Sequence, residues 1–200
     1  MTECIDDCLS AALLTGTDAA LEAWASTGRP GLLLLREYLA GTWDQPPAPV
    51  VHERDVLDNT AAVVAAIAAA NPDAFLDVFA GNAFDPNSFV LDGLGQIHDP
   101  RATERLVRAT GSRDWGTRMH TAIGLGRRSS PLATSTLGRL LRDDDDLVRY
   151  HALRSLERIG DAGVLPLLRD MSPRSSREAE LIDQAEASIV ERANSAKPNG

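Results

Sequence analysis

The sequence predicts an all-α protein, a right-handed α-α superhelix of about four to five antiparallel helix pairs closed by a C-terminal capping helix. Three observations carry this. Leu94, Leu125 and Leu156 are spaced 31 residues apart, as are Leu106, Leu137 and Leu168. Asp99, Ser130 and Asp161, all helix-capping types, keep the same 31-residue interval. Alanine dominates the apolar residues and aromatics make up only 4%, which favours helix over strand. A repeat of this length is one helical hairpin. It cannot bury its apolar face alone, so successive hairpins must shield one another from water.

Taken in order, residues 3–14, 18–26 and 30–40 read as three helices, and residues 1–44 as an N-terminal helical cap region. The run Leu32 to Leu35 is too apolar for an exposed helix and is expected to be packed. Pro46, Pro47 and Pro49 break the pattern, so residues 45–55 form a Pro-rich connection. The array proper spans residues 56–173. It opens with a helix from Val56 to Ala70, a cap at Asn71-Pro72-Asp73 and a short partner over Ala74–Ala80, closed by Gly81-Asn82. The first clear repeat carries Phe89, Val90, Gly93, Leu94 and Ile97, then Asp99-Pro100, then Ala102, Leu106 and Ala109. In the second, Asp114 leads Arg118, Ala122 and Leu125, and Ser130-Pro131 caps a stripe of Ala133, Leu137 and Leu140.

The third repeat is the cleanest. Val148, Ala152, Ser155, Leu156 and Ile159 recur at three- and four-residue spacing, Gly160 ends that helix, and Asp161 caps a second one bearing Val164, Leu165, Leu168 and Met171. Ser175 or Ser176 then caps the terminal helix, assigned to residues 174–194. It sets Leu181, Ile182, Ala185, Ile189 and Val190 on one face and Glu178, Asp183, Glu186, Glu191 and Arg192 on the other. Residues 195–200 are expected to be a disordered tail.

The run Asp145, Val148, Arg149, Ala152, Leu156, Ile159, Gly160, Asp161, Val164 and Leu168 resembles the HEAT-like repeat of the phycobilisome-lyase type. The segment from Leu94 through Asp99-Pro100 to Ala102 is similar to the same motif's inter-helix stretch. The resemblance covers residues 86–171 well and 56–80 weakly. It implies that second helices line a concave binding face. It also implies that Arg118 and Arg149, each four residues after an aspartate (Asp114, Asp145), tie neighbouring repeats together. On function it is nearly silent, because such repeats serve many proteins.

The chain carries a net charge of −9, spread unevenly. Residues 1–98 hold 14 acids and 3 bases, whereas residues 99–160 hold 8 acids and 12 arginines. On one second helix Arg101, Arg105 and Arg108 share a face. Arg139 repeats Arg108 one unit on, and Arg127, Arg128 and Arg142 add charge nearby. Arginine forks suit carboxylate or phosphate, so these seven form the expected partner-binding set. The expected partner is another protein, with the chain acting as adaptor, scaffold or neutralising partner. Nucleic acid is the alternative, and the acidic whole disfavours it.

A second alternative is a metal-dependent enzyme or cofactor-attachment accessory using His120 and His151, again 31 apart. Repeat proteins similar to deoxyhypusine hydroxylase hold iron through His-Glu pairs. Here the pairs are Met119-His120 and Tyr150-His151, and the one His-Glu dipeptide, His52-Glu53, lies outside the clear repeats. No metal, cofactor or catalytic residue is therefore assigned. Gly93-Leu94-Gly95 and Gly124-Leu125-Gly126 look like half a nucleotide fingerprint, but no strand precedes them, so close helix packing is their expected use. The run Asp143 to Asp146 lacks a calcium loop's alternation. Phe84 and Trp115, also 31 apart, fit helix staples or an aromatic ridge. The acidic start, the two cysteines (Cys4, Cys8) and the absence of a long apolar run set the expectation of a cytoplasmic protein with no membrane partner.

Overall fold

The computed structural model describes residues 2–42, 53–79 and 87–195. Among the described residues there are twelve α-helices, one 3₁₀ turn and no strand. The chain divides into two compact units, Met1–Ala102 and Thr103–Gly200. The six leucines that define the repeat, Leu94, Leu106, Leu125, Leu137, Leu156 and Leu168, are all fully buried.

The first unit holds α1 (Thr2–Thr15), α2 (Asp18–Ala25), α3 (Gly28–Leu39), α4 (Glu53–Ala70), α5 (Pro72–Phe79) and α6 (Ser88–Gln96). Its centre is α4, which packs against the other five. Val63, Val64, Ile67 and Ala68 of α4 are buried, and its many alanines let neighbours approach closely. Trp24 of α2 is fully buried and its indole N–H donates to the Val63 carbonyl at 3.2 Å. Two asparagines satisfy helix-end carbonyls across the unit: Asn59 donates to Leu13 at 2.8 Å and Asn71 to Ala25 at 2.7 Å. Gly16 turns the chain between α1 and α2 with φ of +59°, and a Cβ there would lie 2.2 Å from the Asn59 carboxamide oxygen. Of the run Leu32 to Leu35, Leu32 and Leu35 are buried while Leu33 is 38% exposed. Consecutive helical residues point around the whole circumference, so the four cannot share one buried face. The expected features at Pro46–Pro49, His52, Gly81-Asn82 and Phe84, and the tail beyond Ser195, lie outside the described residues.

Helix α7 (Pro100–Ala109) crosses the division between the units. The second unit continues with α8 (Trp115–Leu125), α9 (Pro131–Leu140), α10 (Asp146–Ile159), a 3₁₀ turn (Ala162–Val164), α11 (Leu165–Arg169) and α12 (Ser176–Ser195). α10 is central, packing against α8, α9 and α12, so α12 occupies the place of the next first helix. The expected caps are in place. Asp114 accepts from the Thr117 amide, Ser130 from Ala133, and Asp145 from Leu147 and Val148. Asp161 caps the 3₁₀ turn, and the second helix of the third pair is only five residues long. Pro166 sits in its first turn and lacks the amide that a longer preceding α-turn would use.

The C-terminus of α10 is closed from outside its own hairpin. The Arg192 guanidinium of α12 donates to the carbonyls of Glu157 (2.6 Å), Leu156 (3.3 Å) and Gly160 (3.1 Å). A cation here also complements the helix dipole. Arg192→Ala is expected to lower stability by about 1.5 kcal/mol, read by urea denaturation. An unchanged midpoint would mean that these carbonyls are equally well served by water.

Candidate functional site

The repeated arginines of the first helices form a ladder. Arg118 of α8 grips Asp143 with both carboxylate oxygens, Nε at 2.7 Å and Nη2 at 2.9 Å. Its remaining Nη1 donates to the carbonyls of Ser112 and Arg113. One repeat on, Arg149 of α10 donates from Nε to Glu178 of α12 at 2.8 Å and from Nη2 to Asp146. Its Nη1 reaches the carbonyls of Asp143 and Asp144, the 31-residue equivalents of Ser112 and Arg113. Asp114 and Asp145, four residues before these arginines, serve as N-caps. The geometry corrects one expectation: Glu178 is not on the watered face of α12 but is only 9% exposed, because it receives Arg149.

Charge follows contact. The Arg118 hydrogen bonds hold the Asp143 carboxyl below the ordinary aspartate range. At Glu178 burial opposes ionisation, but Arg149 and the Arg174 amide outweigh it, so its pKa also falls below the ordinary value. Three of the four acids from Asp143 to Asp146 are thus consumed by capping and clamping, and the Asp144 side chain is exposed. Asp143 receives Arg118, Asp145 caps α10, and Asp146 receives Arg149 and Arg174.

The expected partner-facing arginines divide sharply. In the first unit Arg101 is half-exposed and bound to Asp99 and Asp73. In the second, Arg105 and Arg128 are 8% and 6% exposed. Arg128 donates to Thr103 at 3.1 Å, a residue 25 positions earlier. Burial removes both from any surface a partner can touch. Arg127 is exposed, and Arg142 is exposed with a loose pair to Asp170 at 3.3 Å. Arg108 and Arg139, at equivalent places on α7 and α9, are both exposed. The Arg139 side chain donates to Thr136 at 3.1 Å, and the Arg108 side chain has no hydrogen bond or ion pair among the described residues. On the second helices α9 and α11, Leu132 and Leu167 are 44% and 36% exposed.

His120 and His151 are half-buried on α8 and α10. Burial first, and then the charge of His120, lowers the pKa of His151, so His151 is neutral at neutral pH. No group of three or more His, Cys, Asp or Glu suited to a metal occurs among the described residues. The glycine pairs pack helices closely: a Cβ on Gly93 would lie 2.8 Å from Phe75, and one on Gly126 would lie 2.5 Å from the Ser155 Cβ. Trp115 is 45% exposed, and Cys8 is half-buried. Sequence reasoning missed a cleft between α10 and α12, walled by Leu147, Tyr150, His151, Arg177 and Leu181. Its walls are two segments about one repeat apart, and the signal available was the crowding of Tyr150, His151, Arg154 and Arg158 on one helix.

A hairpin array with a cap-anchored arginine ladder defines the class of stacked helical-repeat proteins. A family model of HEAT repeats matches residues 73–147 and 118–188, together 116 of the 200 residues. The chain belongs to the HEAT-repeat family. No curated protein matches it. Among the described residues no single helix is long and apolar enough to cross a membrane.

Proposed function

We propose that this chain is a non-catalytic protein-interaction module, an adaptor, scaffold or neutralising partner, that holds another protein on the second-helix surface of residues 103–170. HEAT repeats commonly serve protein interaction, which supports the class. The single observation that carries the surface is the pair Arg108 and Arg139. They are 31 residues apart on successive second helices and exposed, and Leu132 and Leu167 of the second helices α9 and α11 are exposed as well. Exposed leucines and arginines without carboxylate partners on the same set of helices are the composition of a recognition patch, with arginine forks meeting acidic groups. A cytoplasmic setting and the cap role of residues 1–44 belong to the same proposal.

The test is charge reversal. The double variant Arg108→Glu/Arg139→Glu is expected to lose a discrete partner captured by the wild-type protein, a change of at least about 2 kcal/mol in binding, with an unaltered helical spectrum. Retention of that partner at wild-type strength would remove this surface from the proposal. Retention of the protein on a polyanion column at moderate salt, with steep salt dependence, would favour nucleic acid instead.

A further inference from the structure

Two cavities open along the first-helix side of the second unit and share Tyr150 and His151. One, of about 340 Å³, lies between the start of α10 and the start of α12. The other, of about 550 Å³, continues toward the far end of α10, where Arg154, Arg158 and Ser188 line it. From Leu147 to Arg158 the groove follows α10 for about 16 Å, the span of about five extended residues.

The groove has an apolar floor and a cationic rim. Leu147 is 48% exposed, with Leu153 and Leu181 beside it. Six arginines and three carboxylates line the two cavities, leaving a local excess of three positive charges in a chain of net −9. All three carboxylates are already engaged: Asp146 and Glu178 by Arg149, and Glu157 by Arg154. Arg192 spends its donors on the carbonyls that end α10, and two further cations have no ion pair among the described residues. Arg177 lies 5.4 Å over the Tyr150 ring, and Arg158, at the opposite end, has no ion pair among the described residues. One face of the Tyr150 ring is thus covered, and His151 stands edge-on to it at 5.0 Å. That is a poor platform for stacking bases. It is a good one for an apolar side chain entering between carboxylates.

We infer that the α10–α12 groove is a second docking site, which takes an extended acidic peptide segment of a partner protein with a leucine- or phenylalanine-sized side chain between its acids. The apolar side chain rests on Leu147, Leu153 and Leu181, and the flanking carboxylates meet Arg177 and Arg158. The site uses none of the second-helix arginines, so it stands or falls separately from them.

The probe is a displayed library of randomised hexapeptides, selected on the full chain. Wild-type protein is expected to enrich peptides with Asp or Glu on both sides of Leu or Phe by about tenfold or more over input. Arg158→Glu and Arg177→Glu each return that enrichment to input level while their melting curves stay unchanged, and Arg36→Glu, at an exposed position of α3, leaves it intact. Dodecathymidylate competes weakly. Enrichment of basic or purely apolar peptides, no enrichment, equal enrichment by Arg158→Glu, or displacement by dodecathymidylate at lower concentration than by the selected peptide overturns the assignment.

Discussion

Arg149→Ala is expected to lower the free energy of unfolding by about 3–5 kcal/mol. The reason is what it leaves behind. Arg149 is 3% exposed and Glu178 9%, so the variant strands a carboxylate out of water with its strongest donor gone. An exposed pair is different. Arg142 and Asp170 have side chains 71% and 76% exposed, and losing such a pair costs at most about 1 kcal/mol. Acid sharpens the test. In the intact protein the Glu178 pKa is depressed, so its stabilising contribution is present above the ordinary glutamate value and fades as pH falls through the folded value. In the variant burial acts without Arg149 and pushes the Glu178 pKa up, so protonation relieves the strain. The deficit relative to wild type should therefore be largest at neutral pH and shrink by about pH 4. Urea denaturation at both pH values reads it. A neutral-pH loss under about 1 kcal/mol, or a deficit that grows in acid, would defeat the ladder as the coupling between repeats.

Gly126→Ala carries the second large effect, about 2–3 kcal/mol. A Cβ at this position would stand 2.2 Å from the Ser155 hydroxyl oxygen and 2.5 Å from its Cβ. The hydroxyl can rotate away, but the Cβ cannot, so α10 must move off α8. That motion also stretches the Ser155 hydrogen bond to the Ala122 carbonyl, 2.9 Å long. Adding Ser155→Gly to Gly126→Ala should restore part of the loss, even though glycine inside a helix itself costs about 1 kcal/mol. Gly111→Ala is the control: the nearest atom to its Cβ is 3.5 Å away, and the change should stay within about 0.5 kcal/mol. A double variant no more stable than Gly126→Ala alone would show that the two residues do not confront each other across α8 and α10.

Much of this architecture is legible in the chain because local rules write it. Asp114, Ser130 and Asp145 cap the helices that their spacing announces, and the six equidistant leucines are all buried. Gly93 and Gly126 face neighbouring helices, as the lack of any preceding strand implied. What local rules do not write is the fate of long polar side chains. Arg105, Arg108 and Arg101 share a helix face by spacing, yet Arg105 is buried and Arg108 is not. Glu178 looks like a surface residue of an amphipathic helix until Arg149, 29 residues earlier, comes to meet it. The α10–α12 groove was hidden for the same reason, since its walls become neighbours only after the hairpins stack. Of the acids Asp143 to Asp146, three have separate tasks set by different partners, while the Asp144 side chain is exposed.

The ladder points one way. The residue four past each cap is Arg118 after Asp114 and Arg149 after Asp145, and each reaches forward, Arg118 to Asp143 in the turn before α10 and Arg149 to Glu178 of α12. Four past Ser175, whose hydroxyl accepts from the Glu178 amide, stands Ala179. So α12 receives a clasp and offers none onward. Proteolytic clipping before α12 would strip Arg149 of Glu178 and Gly160 of Arg192 in a single cut, wounding the hairpin left behind. A downstream hairpin grafted onto α12, by contrast, would find no hook until Ala179 became an arginine.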